Sequence, residues 1–300
     1  MNETALKKLA RPLIVLATLI WGSTFVIMKS TLDTVPTFYL LAFRFTAGAV
    51  ILAAIFWRRL KLLDRGYLVA GAVMGTLLFA AYSTQTFGLV LTSPGKNAFL
   101  TAVYCVIVPF LYWVVSRQAP DKFNVAAALL CIAGVGLVSL SADFSVNWGD
   151  VLTLVSGFVY ACHIIAVAKN AQGKDIFLLT AVQFAVTAAW AWGAALLFEH
   201  FPTGITAGAA GSLAYLAVCA TAGALLFQNV GQKYTPPATA AVLLALEAPF
   251  GVFFSVLVGS EKLTVPMVLG FALIFISILC SETKFAFLRR KSAGGETGGG

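Results

Sequence analysis

Ten long, nearly uninterrupted apolar stretches divide this chain of 300 residues, and each is about long enough to cross a lipid bilayer. They are Pro12–Ser30, Pro36–Trp57, Tyr67–Leu91, Pro94–Val115, Lys122–Leu140, Gly149–Lys169, Ile176–Phe198, Ala209–Gln232, Pro236–Val258 and Val265–Phe287. A helix rises 1.5 Å per residue, so about 20 apolar residues span a hydrocarbon layer of roughly 30 Å. In lipid every backbone N–H and C=O must be satisfied within the protein, which leaves helices or a closed barrel. Barrel strands alternate in polarity over about ten residues. These blocks are longer and apolar throughout, so the sequence predicts an all-α membrane protein. Composition agrees: 60% of residues are hydrophobic and 11% charged, where a soluble domain has about a quarter charged.

The charges that remain are placed by side. With the N-terminus inside, the inner connections collect sixteen Lys and Arg, the outer ones collect Lys29, Lys96 and Lys262, and Arg44 falls within a span. Such an asymmetry sets orientation. It predicts ten spans with both termini cytoplasmic, in a bacterial inner membrane. The net charge of +8 is thereby explained by topology and calls for no nucleic-acid partner. The basic start, Lys7, Lys8 and Arg11, resembles the beginning of a signal peptide, but no small-residue cleavage site follows, so the first span reads as retained. The connections are short, which leaves no room for a soluble domain. The Gly-rich end reads as a disordered tail or a cloning remnant. Cys105, Cys131, Cys162, Cys219 and Cys280 all lie inside apolar blocks without disulfide or metal spacing and read as packing residues.

The two halves repeat. Thr18-Leu19-Ile20-Trp21-Gly22 lies over Thr153-Leu154-Val155-Ser156-Gly157 at an offset of 135. Leu40–Phe45 lies over Leu179–Phe184 at 139, and Gln85-Thr86-Phe87-Gly88 with Thr92 and Pro94 lies over Gln228-Asn229-Val230-Gly231 with Thr235 and Pro237 at 143. Pro109 answers Pro249 at 140. Since each unit has five spans, an odd number, the second must enter the membrane from the opposite side. Inverted copies of one fold can exchange conformations and open a central site to each side in turn. The expected domains are a cytoplasmic N-terminus (1–11), a five-helix unit (12–141), its inverted partner (142–287) and a cytoplasmic tail (288–300).

Trp21-Gly22-Ser23, Arg44-Phe45, and Glu247-Ala248-Pro249 followed by Gly259-Ser260-Glu261-Lys262-Leu263 resemble the EamA-type members of the drug/metabolite transporter superfamily. The resemblance runs to about Phe287 and is nearest to YddG-type exporters of aromatic and other neutral amino acids. It implies a transporter with a neutral or aromatic amino acid as its small-molecule substrate, no cofactor and no enzymatic step. The second unit departs from the first at Ser156, opposite Trp21, and at Gln183, opposite Arg44, so the half-sites differ chemically.

Arg44 and Glu247 lie deep in their spans. Charge at such depth costs at least about 2.5–3.5 kcal/mol unless it faces protein or water. Each has a structural reading, tying neighbouring helices, and a functional one: a substrate carboxylate for Arg44 and proton coupling for Glu247. Asn97, Thr101, Tyr104, Val108 and Tyr112 share a helix face, and Phe79, Tyr82, Ser83 and Thr86 share another. Tyrosine hydroxyls do not stay unpaired in lipid, so these faces look inward, to interhelical packing or to a cavity. With Trp21 and His163 they compose an expected substrate site of Trp21, Phe79, Tyr82, Ser83, Thr101, Tyr104 and His163. His163 reads either as hydrogen-bonded core or as cavity lining, and no second ligand stands at metal spacing. Gly71 and Gly75 read as a close helix contact. Pro109 and Pro249 are interior and expected to kink their helices as hinges. The repeat interface near Gln85–Gly88 and Gln228–Gly231 is the expected place of the substrate. A drug or metabolite efflux transporter with another substrate, a channel, or an intramembrane enzyme stands as the alternative. No GxxxxGK[ST], HExxH or GxSG motif supports ATP coupling or hydrolysis.

Overall fold

The computed structural model describes residues 3–139, 147–260, 262 and 264–283. The expected boundary between 141 and 142, the tail 288–300, and Glu261 and Leu263 of the family-like motif lie outside the described residues. Among those described there are helices and no strands. In order they are α1 (Glu3–Thr31), α2 (Thr37–Ile55), a 3-10 turn (Trp57–Leu62), α3 (Arg65–Leu91), α4 (Pro94–Thr101), α5 (Tyr104–Ser116), α6 (Lys122–Ser139), α7 (Trp148–Asn170) and α8 (Ile176–Phe198). Then come α9 (Ala207–Tyr215), a π-helical stretch (Leu216–Leu225), α10 (Leu226–Lys233), α11 (Pro237–Leu244), α12 (Glu247–Leu257) and α13 (Val265–Thr283).

Among the described residues, eight segments are long and apolar enough to cross a membrane. Three of these are composite: Pro94–Ser116 joins α4 and α5, Ala207–Lys233 runs from α9 through α10, and Pro237–Leu257 joins α11 and α12. The shorter apolar helices α6 and α13 pack on each other, with Gly134 against Gly270 and Ile274 and the Ser277 hydroxyl donating to Ala127 O at 2.8 Å. α1 begins well before Pro12, because Glu3 and Lys7 form an i,i+4 pair that carries the helix into its polar end.

Apolar side chains cover the outside as well as the inside: Val50, Leu196, Leu197, Phe198, Leu257 and Val265 are among the exposed ones. With lipid as the outer solvent, helix contact comes from small residues and interhelical hydrogen bonds rather than from a hydrophobic face. Gly71 and Gly75 of α3 sit against Val182, Gln183 and Val186 of α8, which is the close contact expected of them.

Glycines at corresponding positions of the two halves each make a close helix contact. Gly22 of α1 meets Phe250 and Gly251 of α12, while Gly157 of α7 meets Thr101 and Val103 at the α4–α5 junction. Gly88 of α3 meets Gly149 and Thr153 of α7, and Gly231 of α10 meets Ala10 and Ile14 of α1. The Arg44 Nη1 donates to the Met28 sulfur at 3.4 Å, and His163 and Gln183, at the matching positions, lie 3.3 Å apart.

Candidate functional site

Two of the three composite spans, Pro94–Ser116 and Pro237–Leu257, break at matching places. α4 ends and α5 begins across Ala102–Val103, and α11 gives way to α12 across Ala245–Leu246, at an offset of 143. At the second break Pro249 has no N–H to offer the Ala245 carbonyl, which takes the Ala248 N–H at 3.2 Å instead. At the first, Cys105 N–H reaches Ala102 O and Val106 N–H reaches Val103 O, both at 3.0 Å, again with three-residue spacing. Pro109 and Pro249 lie within the second halves, downstream of the breaks.

The residues that open the second halves meet at the centre. Tyr104, first in α5, donates its hydroxyl to Glu247 Oε1 at 3.0 Å, and Glu247 is first in α12. Both are buried. Around this pair is a cavity of about 30 Å³, bordered by Trp21, Phe25, Tyr82, Gln85, Tyr160 and Gln228 among others. That volume holds about one water molecule. Several of its walls are repeat partners: Gln85 with Gln228, Phe25 with Tyr160, and Tyr82 with Leu225.

The aromatic walls are held by one another and by polar groups behind them. Tyr160 meets Tyr82 edge to face at 5.6 Å and donates to Gln85 Oε1 at 2.9 Å. Gln85 in turn donates to the Thr101 hydroxyl at 3.1 Å. Trp21 donates its indole N–H to Ala220 O at 2.9 Å, within the π-helical stretch. Arg44 stands behind Tyr82, its guanidinium carbon 4.8 Å from the ring centroid, and its Nε donates to Thr221 Oγ1 at 2.8 Å. Thr221 passes its own proton to Leu216 O. Trp21 and Arg44 thus both engage the stretch where the helix is unwound to the wider π repeat, a feature common at functional sites.

Of the expected site residues, the structure brings Trp21, Tyr82, Tyr104 and Glu247 to the cavity. Thr101 touches it through Gln85, and Arg44 through Tyr82. Phe79 faces elsewhere, stacked between Phe38 and Trp190. Ser83 is buried with its hydroxyl unpartnered, His163 is buried on Gln183, and neither borders the cavity. Tyr160 was not legible in the sequence as a site residue. The one signal for it was positional, since it lies 135 after the wall residue Phe25.

The profile of the EamA-like transporter family matches this chain twice, over residues 9–140 and 147–283. The chain belongs to the EamA-like transporter family. It is thus a multi-pass membrane protein of the drug/metabolite transporter superfamily. Among relatives of this EamA-like chain, an uncharacterized transporter of Archaeoglobus fulgidus is 32% identical over 268 residues, covering 88% of this chain and 82% of its own length. The uncharacterized transporter YoaV of Bacillus subtilis is 26% identical over 290 residues, 93% of this chain and 97% of that protein. A crystal structure sharing 20% identity superposes with a TM-score of 0.77 over 93% of this chain and 98% of that one, a likeness of fold.

Proposed function

We propose that this transporter exports small organic solutes, neutral and aromatic amino acids foremost, by alternating access about the Tyr104–Glu247 centre. The reading takes α1 through α6 as one five-span unit and α7 through α13 as its inverted copy, ten spans in all, with both termini cytoplasmic. The observation that carries it is the meeting of two matched helix breaks at one hydrogen bond between Tyr104 and Glu247. Helices broken near the midplane, at the interface of inverted repeats, are where substrate sites of such carriers lie. A cavity of about 30 Å³ is too small for an amino acid, so this conformation is contracted and the site must widen to load.

Trp21, Tyr82, Tyr104 and Tyr160 give an apolar body its contact area, and Gln85, Gln228 and Glu247 supply the few polar anchors. Pro109 and Pro249 lie within the half-helices that have to move, and Arg44 holds Tyr82 to the π-helical stretch. Glu247 makes no ion pair among the described residues, so its carboxyl is free to exchange a proton as the centre changes sides. The test is transport by purified protein in liposomes against a panel of amino acids, with and without a pH gradient. Saturable movement of apolar amino acids is expected, and Glu247→Gln is expected to remove any dependence on the gradient while leaving counterflow. Absence of saturable movement for every neutral amino acid would sink the substrate assignment.

A further inference from the structure

A larger cavity lies at the end of the molecule where α7 gives way to α8 and α10 to α11. It is a cleft of about 640 Å³, bordered by Lys7, Gln232, Lys233, Tyr234, Thr235 and Pro236 among others. The volume falls in the range of small-ligand sites, about 300–1,000 Å³. Two donors in its polar lining lack acceptors. Gln232 and Thr235 are buried, and neither the Gln232 Nε2 nor the Thr235 hydroxyl has a partner. A buried donor left unpaired costs about 1–3 kcal/mol. Lys7 and Lys233 stand near the Tyr234 ring, at 6.0 and 5.7 Å from its centroid. Among the described residues, Lys7 pairs with the exposed Glu3, and Lys233 reaches a backbone carbonyl, Lys174 O, at 2.7 Å.

The opposite end of the molecule shows what a set like this holds. Thr92, the repeat partner of Thr235, donates to Asp150 Oδ1 at 3.1 Å, and Lys96 reaches Asp150 Oδ2 at 2.7 Å. Ser93, the partner of Pro236, caps α4. At the cleft, neither fixture is present: Asp150's counterpart at the 135 offset is Val15, and α11 starts on Pro236 and Pro237 without a side-chain cap. Lys96 has Thr239 at its repeat position, so the cleft draws its cations from Lys7 and Lys233 instead, and neither the Thr235 hydroxyl nor the Gln232 Nε2 meets a carboxylate among the described residues.

We propose that this cleft is a second ligand site that binds the carboxylate of a small organic acid or amino acid, in series with the central cavity. The connection between the two sites is direct, since Gln228, a wall of the central cavity, donates to Gln232 Oε1 at 3.2 Å. A carboxylate drawing on Gln232 Nε2, Thr235 and Lys233 would hold the solute one amide pair away from the centre. The proposal rests on the transport reading above and adds a station to it.

The test is equilibrium binding to the full chain in lipid nanodiscs, read as a thermal-unfolding shift, with 3-phenylpropionate, phenylalanine and phenethylamine as probes. Both carboxylates are expected to stabilise the protein, and phenethylamine, which has none, to lack the cleft contribution. Lys233→Gln and Thr235→Val are each expected to weaken 3-phenylpropionate binding about three- to tenfold, and to raise KM for phenylalanine supplied on the cleft side with kcat retained. Thr235→Val guards against misfolding of the lysine variant, because the Thr235 hydroxyl has no partner to lose. Unchanged carboxylate affinity in both variants overturns the proposal. So does competitive loss of the shift when phosphatidylglycerol replaces phosphatidylcholine, which would give the cleft to a lipid headgroup phosphate. If no amino acid is transported but the variants still lose carboxylate binding, the transport reading fails and the site stands.

Discussion

At the residue scale, the chemistry of the centre is a carboxyl among phenols. Tyr82, Tyr104 and Tyr160 surround a small space with apolar faces, and their hydroxyls reach other protein groups, as with Tyr104 on Glu247 and Tyr160 on Gln85. A wall of this kind discriminates by shape, where one methylene is worth about 1–3 kcal/mol. Tyr82→Ala and Tyr104→Ala are therefore expected to reorder the preferences among apolar amino acids. The check is a competition panel in liposomes at matched expression, and an unaltered order would remove both residues from the site. Arg44 and its counterpart Gln183 separate structure from solute. Arg44→Ala deletes a buried cation together with its bond to Thr221 and its stacking on Tyr82. It is expected to cost about 2–3 kcal/mol, seen as a lower melting temperature in detergent. Gln183→Ala, which loses one contact at 3.3 Å to His163, should fall well short of that.

Single elements owe their positions to close approach. The Cβ of an alanine at Gly22 would meet Phe250 and the α12 backbone, and one at Gly157 would meet Val103 and the Thr101 carbonyl. Gly157 presses on the α4–α5 junction before Tyr104, and Gly22 presses on the first turn of α12 after Glu247. Overpacking of this kind costs about 1–3 kcal/mol, so Gly22→Ala and Gly157→Ala are expected to lower thermal stability and slow transport. Gly193→Ala is the control, since nothing lies within 4 Å of an added methyl there. Alanine in a helix interior is favoured over glycine by up to about 1 kcal/mol, so that variant should be neutral or slightly more stable. Equal losses at all three positions would show that junction packing is not the cause.

Over the whole molecule, the proposed orientation is tested by sidedness. Cysteine-labelling reporters in a cysteine-free background are expected to place Arg59 and Gln118 on the cytoplasmic side and Gly204 outside. Labelling of all three from one side would overturn the inverted arrangement. The ends themselves are closed by unlike means. Glu199 receives the free N–H groups of Phe38 and Tyr39 at the start of α2, and Lys29 donates to Leu89, Val90 and Thr92 carbonyls at the end of α3. These charges sit where helix-end dipoles favour them. At the other end, Asp175 joins Arg59 and caps α8, while the cleft stays open beside it.

The sequence alone determined the solvent and the helices, and it carries the repeated text of the two halves. Long apolar blocks cannot be reconciled with water, and repeated text such as Gln85–Gly88 and Gln228–Gly231 survives as repeated contacts at Gly88 and Gly231. Tertiary structure decided which side chains meet. In water, a helix announces its inner face through amphipathic periodicity, but here lipid is as apolar as the core, and that signal is weak. The rotation of each helix is set instead by glycine contacts and interhelical hydrogen bonds. For that reason Phe79, though in phase with Tyr82 along α3, turns to Phe38 and Trp190, and His163 finds Gln183 rather than the cavity. For the same reason Tyr160 reaches the centre unannounced, and the meeting of Tyr104 with Glu247 emerges only where the helices pack together.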